Sequence, residues 1–292
     1  MARVMLLIPS ESYRAPDFME AAAHLGVDVV VGTDRRNPLQ EESGGRLVEL
    51  DFDDPETGAT QIEAFATLHP LDTIVAVDDG GQLIAARAAR RLELPYNPVA
   101  AVEATRNKAL LRQRIAAAGL PSPDAVVVPL TADPREAARA MTFPVVLKPL
   151  ALSASRGVIR ADDEGTFIAA FERIRAILAT PEAQEECGAP LGDRVLVEGY
   201  VPGIEVSVEG LLDGGRLRTL AIFDKPDPLV GPYFEETIYV TPSRLPAADQ
   251  RTLIATTEAA CRALGLETGP VHAELRLHEG QWYAIDIAAR SI

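Results

Sequence analysis

Cysteine, lysine and long apolar runs are all scarce in this sequence of 292 residues. The two cysteines, Cys187 and Cys261, stand far apart without the spacing of metal ligands, so we expect both to be reduced and structural. No apolar run approaches the roughly 20 residues of a membrane-spanning helix, and the apolar residues 4–8 are too short for a signal peptide. These absences predict a cytoplasmic protein that does not enter a membrane.

Positive charge is scarce as well. The chain has 28 lysines and arginines against 43 acidic residues, which gives a formal net charge of −15 at pH 7. This balance argues against broad nucleic-acid binding and against attachment to anionic membranes, although it is compatible with a local cationic pocket.

Lysine is the rarer cation, since the chain has only Lys108, Lys148 and Lys225. Arginine serves solubility equally well, whereas a site that needs a compact ammonium group cannot exchange it freely. The three lysines are therefore candidates for chemistry. The alternative is that they survive by chance in an arginine-rich composition.

Glycine is missing where a dinucleotide-binding protein needs it. The first apolar strand is followed by residues 9–14, which contain no glycine, so a Rossmann dinucleotide site is not supported. Strands alternate with helices as far as residue 92, which predicts a parallel sheet with right-handed crossovers. Asp78 and Asp79 follow the fourth strand, where they either contact a substrate or cap the next helix. The predicted strands are 4–8, 27–31, 47–50 and 73–77, and the predicted helices are 16–25, 55–68 and 82–92.

The pattern changes near residue 95. A helical stretch is predicted through Lys108 to residue 118, and residues 95–120 are the candidate domain boundary. Later strands follow one another without intervening helices, which predicts an α+β region. Residues 181–193 are predicted as a surface loop, and the proline-rich 226–246 as an irregular loop of the kind that forms lids. The remaining predicted strands are 125–128, 145–148, 194–198, 205–212, 217–225, 271–278 and 282–289, and the remaining predicted helices are 134–141, 166–178 and 247–264.

The strand that ends at Lys148 is followed by a loop of small and hydroxyl residues. Pro149 stops the strand pairing because it has no N–H to donate, and Ser153, Ser155 and Gly157 follow. Amide and hydroxyl donors beside an ammonium group suit a polyphosphate ligand. The alternative is a solvated lysine beside an ordinary turn.

Two carboxylates near the end of the chain are predicted to face each other. If His278 pairs with Trp282 across a turn at residues 279–281, Glu274 lies opposite Asp286, with Cβ atoms roughly 4.5–5.5 Å apart. Such a pair repels unless a cation lies between its members, and Mg²⁺ prefers oxygen ligands. The alternative is two exposed acids, and a slip of one residue would separate them. His272 shares the face of Glu274 and is either a substrate contact or a structural histidine.

Together these residues resemble the ATP-grasp superfamily, in particular the carboxylate–amine ligases such as D-alanine–D-alanine ligase and the L-amino-acid ligases. The resemblance implies an α/β and α+β fold, in which an N-terminal Rossmann-like parallel sheet (residues 1–100) precedes an ATP-grasp fold of two α+β subdomains (101–200 and 201–292). It also implies a role for each motif. The ATP phosphates would be bound by Lys108 and Lys148, with Lys225 as a third phosphate contact that has a catalytic role, and they would be covered by the loop that contains Ser153, Ser155 and Gly157. The adenine hinge would consist of Glu198, Tyr200 and Val201, and the ribose would be bound by Glu205. The metal would be bound by Glu274 and Asp286, and the substrate or acylphosphate would be held by Arg290.

The resemblance implies an ATP-dependent ligase that joins a carboxylate, for example an amino acid, to an amine through an acylphosphate and releases ADP and phosphate. It implies ATP with Mg²⁺ or Mn²⁺, small-molecule partners rather than nucleic acid or membrane, and a homodimer as one oligomeric option. The sequence departs from the family in three ways: the covering loop has one glycine, Ala288 stands where many relatives carry asparagine, and the chain ends at Ile292 where relatives run on. The alternative expectation is a truncated, non-catalytic ATP-binding protein.

Overall fold

The computed structural model describes residues 1–35 and 46–292, and within them it contains three four-stranded sheets that follow one another along the chain. The first sheet is entirely parallel, in the order β3-β2-β1-β4. Its strands and their helices are β1 (Arg3–Leu7), α1 (Ala15–Leu25), β2 (Asp28–Thr33), β3 (Leu47–Glu49), α2 (Pro55–Leu68), β4 (Thr73–Ala76) and α3 (Asp79–Arg91). The Rossmann-like parallel sheet is therefore confirmed.

Helix α3 begins three residues before the predicted start. Gly80 and Gly81 form its first turn, and the low helix propensity of glycine concealed that turn from the sequence reading. Close packing favours glycine at position 81, because a Cβ atom there would lie 3.1 Å from side-chain atoms of both Ala76 and Leu7. Asp78 is the N-cap residue, yet its side chain accepts no capping hydrogen bond.

The predicted single helical stretch around Lys108 is two helices, α4 (Val99–Thr105) and α5 (Lys108–Ala117). Asn107 interrupts it with an extended backbone, and its side chain accepts hydrogen bonds from the amides of Ala109 and Leu110. Asparagine favours this N-cap position over a helix interior. The interruption makes Lys108 the first residue of α5.

The second sheet is antiparallel, in the order β5-β8-β6-β7. The predicted surface loop at 181–193 is wrong, because Thr180 caps a short helix there whose Ala183 and Cys187 are buried. Strand β7 was also not predicted. The elements of this region are β5 (Ala125–Pro129), α6 (Pro134–Arg139), β6 (Val145–Pro149), β7 (Ile159–Ala161), α7 (Glu164–Leu178), α8 (Pro181–Cys187), a 3-10 turn (Leu191–Asp193) and β8 (Arg194–Gly199).

The third sheet is antiparallel as well, in the order β10-β9-β11-β12. Its apolar face packs on the last helix together with α4 and α5, so Ala101, Leu111 and Ile115 share one core with this sheet. The domain boundaries at residues 100 and 200 stay a prediction. The elements are β9 (Ile204–Asp213), β10 (Arg216–Asp224), α9 (Ala247–Leu264), β11 (Gly269–His278) and β12 (Gln281–Ala288).

Residues 226–246 form no helix or strand, in agreement with the predicted irregular loop. Isolated bridges join Tyr233 to Ile159 and Val240 to Asp224, so the segment runs over both antiparallel sheets. Cys187 and Cys261 are buried and free. Within residues 1–35 and 46–292, none of the helices is both long enough and apolar enough to cross a membrane.

Candidate active site

A cleft of about 1360 Å³ is lined by strand residues of the second and third sheets and, beside the first sheet, by residues of its connecting segments and of helix α3. It brings together most of the residues that the sequence singled out. Of the predicted site residues, Gly157 and Lys225 alone do not line it. Those that do are Lys108, Lys148, Ser153, Ser155, Glu198, Tyr200, Val201, Glu205, Glu274, Asp286 and Arg290.

Lys148 is the last residue but one of the fully buried strand β6 and is itself only 5% exposed. Its ammonium group pairs with Glu198 on the neighbouring strand β8, and Arg112 Nε donates to the other oxygen of that carboxylate at 2.7 Å. Burial raises the pKa of Glu198, but the charges of Arg112 and Lys148 outweigh it and hold that pKa at about 2. Glu198 is therefore an anion that anchors Lys148.

Arg112 is a site residue that sequence reasoning missed. It lies on α5, and its two terminal nitrogens donate to the backbone carbonyls of Ala284 and Ile285 at 2.5 and 2.6 Å. The arginine thereby connects Glu198 to strand β12, which carries Asp286. Nothing in the local sequence distinguishes this arginine from the many others on exposed helix faces.

Lys108 faces the same strand from the start of α5. Its Nζ donates to the Leu152 carbonyl at 2.8 Å and lies 3.7 Å from Asp286 Oδ2. Its backbone amide donates to the Leu150 carbonyl at 3.0 Å. The helix interruption at Asn107 therefore fixes this lysine between the covering loop and the predicted metal ligand.

Lys225 is buried among three carboxylates. Its Nζ lies 2.7 Å from both Glu205 Oε1 and Glu274 Oε1, and it also contacts Glu236 from the 226–246 segment. Burial lowers the pKa of this ammonium group, but the three carboxylates outweigh it and raise that pKa above its ordinary value. Glu236 was not predicted, because a loop residue has no strand parity that would mark its direction.

The pKa values of Glu236 and Glu274 shift in opposite directions. Burial and the neighbouring Glu274 raise the pKa of Glu236. Burial acts in the same sense on Glu274, but hydrogen bonding to His272 and the charge of Lys225 hold its pKa well below the usual range. These two contacts therefore favour the anionic form of Glu274.

The facing pair is confirmed, although one step of its derivation is wrong. Glu274 lies directly opposite Asp286, as predicted, but His278 pairs with Gln281 rather than Trp282. The hairpin turn has two residues, Glu279 and Gly280, both with the positive φ of a type I′ turn. A bulge between Asp286 and Ala284 adds one residue on β12 and restores the pairing.

Charged side chains of strands β9 and β11 also pair across one face. Arg276 lies opposite Glu205 and donates to it at 2.6 Å, and His272 lies opposite Glu209 and bonds to it through Nδ1. Burial lowers the pKa of His272, but its hydrogen bonds to Glu209 and Glu274 raise it to about 9. His272 is thus hydrogen-bonded to side chains of the sheet while it also lines the cleft, and its role stays a prediction.

An aromatic wall bounds the other end of the cleft. The guanidinium carbon of Arg160 lies 4.1 Å from the ring centre of Tyr200, and Arg276 stands 5.3 Å from that of Phe234. Arg276 also donates to the Val201 carbonyl at 2.9 Å. Such a wall of rings and guanidinium planes suits a flat heterocycle.

The loop after β6 is held by α8. Arg156 pairs with Glu186, whose carboxylate also lies 3.4 Å from Ser153 Oγ. Ser155 and Gly157 have positive φ, and a Cβ atom on Gly157 would lie 2.8 Å from Pro149 Cγ. The single glycine of the loop thus stands where a side chain cannot fit.

Arg290 closes the cleft on the side of the first sheet. Its Nε lies 2.9 Å from Asp79 Oδ1, and Arg14 Nη1 lies 3.3 Å from Asp78 Oδ1. The acidic pair therefore holds arginines, a use that neither reading of Asp78 and Asp79 anticipated.

The facing carboxylates of Glu274 and Asp286 fit a divalent cation. Carboxylate oxygens of Glu205, Glu236 and Glu274 lie within 4.8 Å of one another, and Asp286 faces Glu274 across the strands. Hard oxygen donors are the ligands that Mg²⁺ and Mn²⁺ prefer. The ammonium group of Lys225 contacts all three of the carboxylates Glu205, Glu236 and Glu274, so Glu274 and Asp286 are the residues that would hold the cation.

Two family models match this chain, one in its N-terminal part and one in its C-terminal half. The family model described as ATP-grasp domain matches residues 141–292, and the model described as ATP-grasp N-terminal domain matches residues 19–96. Alanine–anticapsin ligase of Bacillus amyloliquefaciens is 29% identical over 238 residues, which cover 78% of this chain and 50% of that protein. The chain spans about half the length of the curated relatives that it matches.

Solved structures agree on the fold. An L-amino acid ligase from Bacillus licheniformis superposes with a TM-score of 0.78 at 24% identity, covering 99% of this chain and 67% of that one. A D-alanine–D-alanine ligase from Bacillus anthracis gives 0.65 at 15% identity, covering 99% and 87%. The expected arrangement, a parallel sheet followed by two α+β units, is that of these structures.

Proposed function

This chain belongs to the ATP-grasp family, and on that premise we propose that it is an ATP-dependent ligase that joins a carboxylate substrate to an amine. The reaction runs through an acylphosphate and releases ADP and phosphate. The names of the similar ligases point to amino acids among the substrates. The acid and the amine are selected by the shape of the cleft rather than by the motifs.

One observation supports this proposal above the others. Each of the three lysines in a chain of net charge −15 has a carboxylate partner in the same region: Lys148 with Glu198, Lys108 with Asp286, and Lys225 with Glu274. Burying these ions is costly unless they are paired, and an apolar core would be at least as stable. A polyphosphate ligand accounts for their retention, since it would take up the ammonium groups.

The first step would transfer the γ-phosphoryl group. An oxygen of the substrate carboxylate attacks the γ-phosphorus, the bond to the β-phosphate oxygen breaks, and ADP leaves. Lys148, Lys108 and Lys225 would neutralise charge on the phosphates as it redistributes. Glu274 and Asp286 would hold Mg²⁺ or Mn²⁺, which when bound neutralises the β- and γ-phosphates further.

The second step would form the amide. The amine nitrogen attacks the acyl carbon of the acylphosphate, phosphate leaves, and the nitrogen loses a proton. Arg290, held in place by Asp79, would bind the acylphosphate. Water would hydrolyse that intermediate, so the cleft has to close. The loop at 153–157 and the segment 226–246 are the two lids of this proposal.

The test is product formation. Wild-type protein, incubated with Mg²⁺, ATP and pairs of amino acids, is expected to release ADP and phosphate in step with amide formation. Glu274→Gln should lower turnover by about 100-fold or more, the usual size of losing one preorganised electrostatic contact. Arg262→Ala removes an exposed cation outside the cleft and should match the wild type.

Two outcomes would count against this function. ATP binding without any amide product would favour the alternative, a non-catalytic ATP-binding protein. Turnover that survives unchanged in Glu274→Gln would remove this residue from the proposed mechanism.

A further inference from the structure

The side of the cleft nearest the first sheet is lined by several arginines, and most of them have acidic partners. Arg14 pairs with Asp78, Arg290 with Asp79, and Arg87 with Glu56. These carboxylates neutralise the arginines before any ligand arrives. The remaining cation of this side is Arg106, which lies at the junction between α4 and α5.

Arg106 differs from its neighbours in what it touches. One of its terminal nitrogens donates to the backbone carbonyl of Asp79. Among residues 1–35 and 46–292, no carboxylate oxygen lies within 4.0 Å of its guanidinium nitrogens. Its remaining nitrogens are in contact with solvent, since none of them is buried without a partner in that part of the chain. A guanidinium group has five N–H donors, so most of them are available to a ligand.

The surroundings of Arg106 describe what such a ligand would look like. Its contact, Asp79, is the first residue of the 13-residue helix α3, whose N-cap makes no side-chain hydrogen bond, so the positive end of the helix is open on this side. Gly80 leaves room there, because an added Cβ would meet only Phe52 at 3.8 Å. Phe52 and Leu83 line the same side of the cleft. A cation with apolar neighbours suits a small molecule that has one anionic end and an apolar body.

We propose that Arg106 binds the carboxylate of the amino acid whose amine is the acceptor, and so helps to select that substrate. This inference rests on the proposed ligase function. A guanidinium fork matches the two oxygens of a carboxylate, which a lysine does not. The reacting acid has to lie beside Glu274 and Asp286 instead. Arg290 connects the two positions, because it follows Asp286 at the end of the chain and pairs with Asp79, the residue that Arg106 contacts.

The nucleotide phosphates are the other anions that could reach this arginine. They are better served by the lysines, of which Lys148 and Lys225 are held by residues of the second and third sheets. Lys108 lies two residues after Arg106, but its Nζ faces the Leu152 carbonyl and Asp286, whereas Arg106 contacts the Asp79 carbonyl at the start of α3. The position of Arg106 thus favours a carboxylate, and a measurement can separate the two ligands.

The test is a titration of the full chain that does not require turnover. L-alanine, L-leucine and L-phenylalanine are titrated calorimetrically beside their carboxamides, which keep the amine and lose the carboxylate. Arg106→Gln replaces the cation with a neutral amide, and a cooperative thermal unfolding transition would show that the variant is folded. Its affinity for the amino acids should fall about 10- to 100-fold, as expected for loss of a charge-assisted contact. Affinity for the carboxamides should not change.

Two controls make the result specific. Arg90→Met removes one positive charge from the exposed, opposite end of α3 and should bind amino acids as the wild type does. A non-hydrolysable ATP analogue with Mg²⁺ should bind Arg106→Gln within about twofold of wild type. Arg106→Lys keeps the charge without the fork and should lose part of the affinity.

Several results would overturn the inference: equal amino-acid affinity in wild type and Arg106→Gln, no amino-acid binding by the wild type, carboxamides that bind as tightly as the amino acids, or a loss confined to the ATP analogue. Failure of the proposed function has a different signature. Wild-type protein would then bind no ATP analogue, while the dependence of amino-acid binding on Arg106 persisted.

Discussion

At the scale of single residues, the molecule is unusual in burying its rarest cation. Lys148, Lys225, Glu198 and Glu205 are all under 10% exposed, and each takes part in an ion pair with another buried group. Desolvating such ions costs about as much as their mutual attraction returns, so they are weak evidence for stability. Removing one partner is a different matter, because it leaves a buried charge uncompensated.

A substitution of Arg112 would measure the cost of removing one partner from a buried ion pair. Arg112→Met leaves Glu198 with Lys148 alone and removes two donors from the carbonyls of β12. We expect the free energy of unfolding in urea to fall by about 3 kcal/mol, the lower end for breaking a buried ion pair. Arg262→Met, which breaks an exposed pair, should change it by less than about 0.5 kcal/mol. Equal losses in the two variants would contradict the structural role of Arg112.

The sequence identified the lysines and most of the acids that pair with them, but not the arginines or Glu236. Three lysines stand out because the composition is otherwise arginine-rich, whereas Arg112 and Arg276 are hidden among the arginines. Glu205 and Glu274 could be found from the alternation of their strands. Glu236 could not, because the path of the 226–246 segment is set by contacts with both sheets rather than by a local period.

At the scale of elements, most helices and strands could be predicted from the alternation of apolar and polar residues and from the residues that favour turns and helix ends. Helices α2 and α9 match their predicted bounds, since proline marks the first residue of one and glycine the C-cap of the other. The β11–β12 hairpin shows the limit of that reasoning. Its turn is one residue shorter than predicted, and the bulge that compensates has no sequence mark comparable to a glycine.

The connection from β8 to β9 depends on one glycine. Gly203 has φ +111°, and a Cβ atom there would lie 1.9 Å from the Leu277 carbonyl oxygen. Gly203→Ala should therefore lower the free energy of unfolding by roughly 2–5 kcal/mol, through backbone strain and overpacking. Gly214→Ala is the matched control: it has φ +56° but no atom within 4 Å, so it should cost only about 1–2 kcal/mol. Chemical denaturation would measure the free energy of unfolding of both variants. Equal losses in the two would contradict the close contact between residue 203 and the Leu277 carbonyl.

At the scale of the whole molecule, the cleft exists because three sheets meet around it. The start of α3, beside the first sheet, supplies Asp79, the second sheet supplies Lys148, and the third supplies Glu274 and Asp286. The fold class and the family resemblance could be predicted from the order of motifs and are confirmed by the family models and the solved structures. How the sheets converge could not be predicted, because the packing of α4 and α5 on the third sheet involves residues far apart in sequence.

The central claim is that the lysines of this cleft bind the phosphates of ATP. Calorimetric titration with a non-hydrolysable ATP analogue and Mg²⁺ tests it most directly, with wild type, Lys148→Ala and the surface control Arg262→Ala compared at one salt concentration. We predict that wild type and Arg262→Ala bind alike and that Lys148→Ala binds about 10- to 100-fold more weakly, with its thermal unfolding still cooperative. Affinity in a folded Lys148→Ala protein equal to that of the wild type would contradict the account.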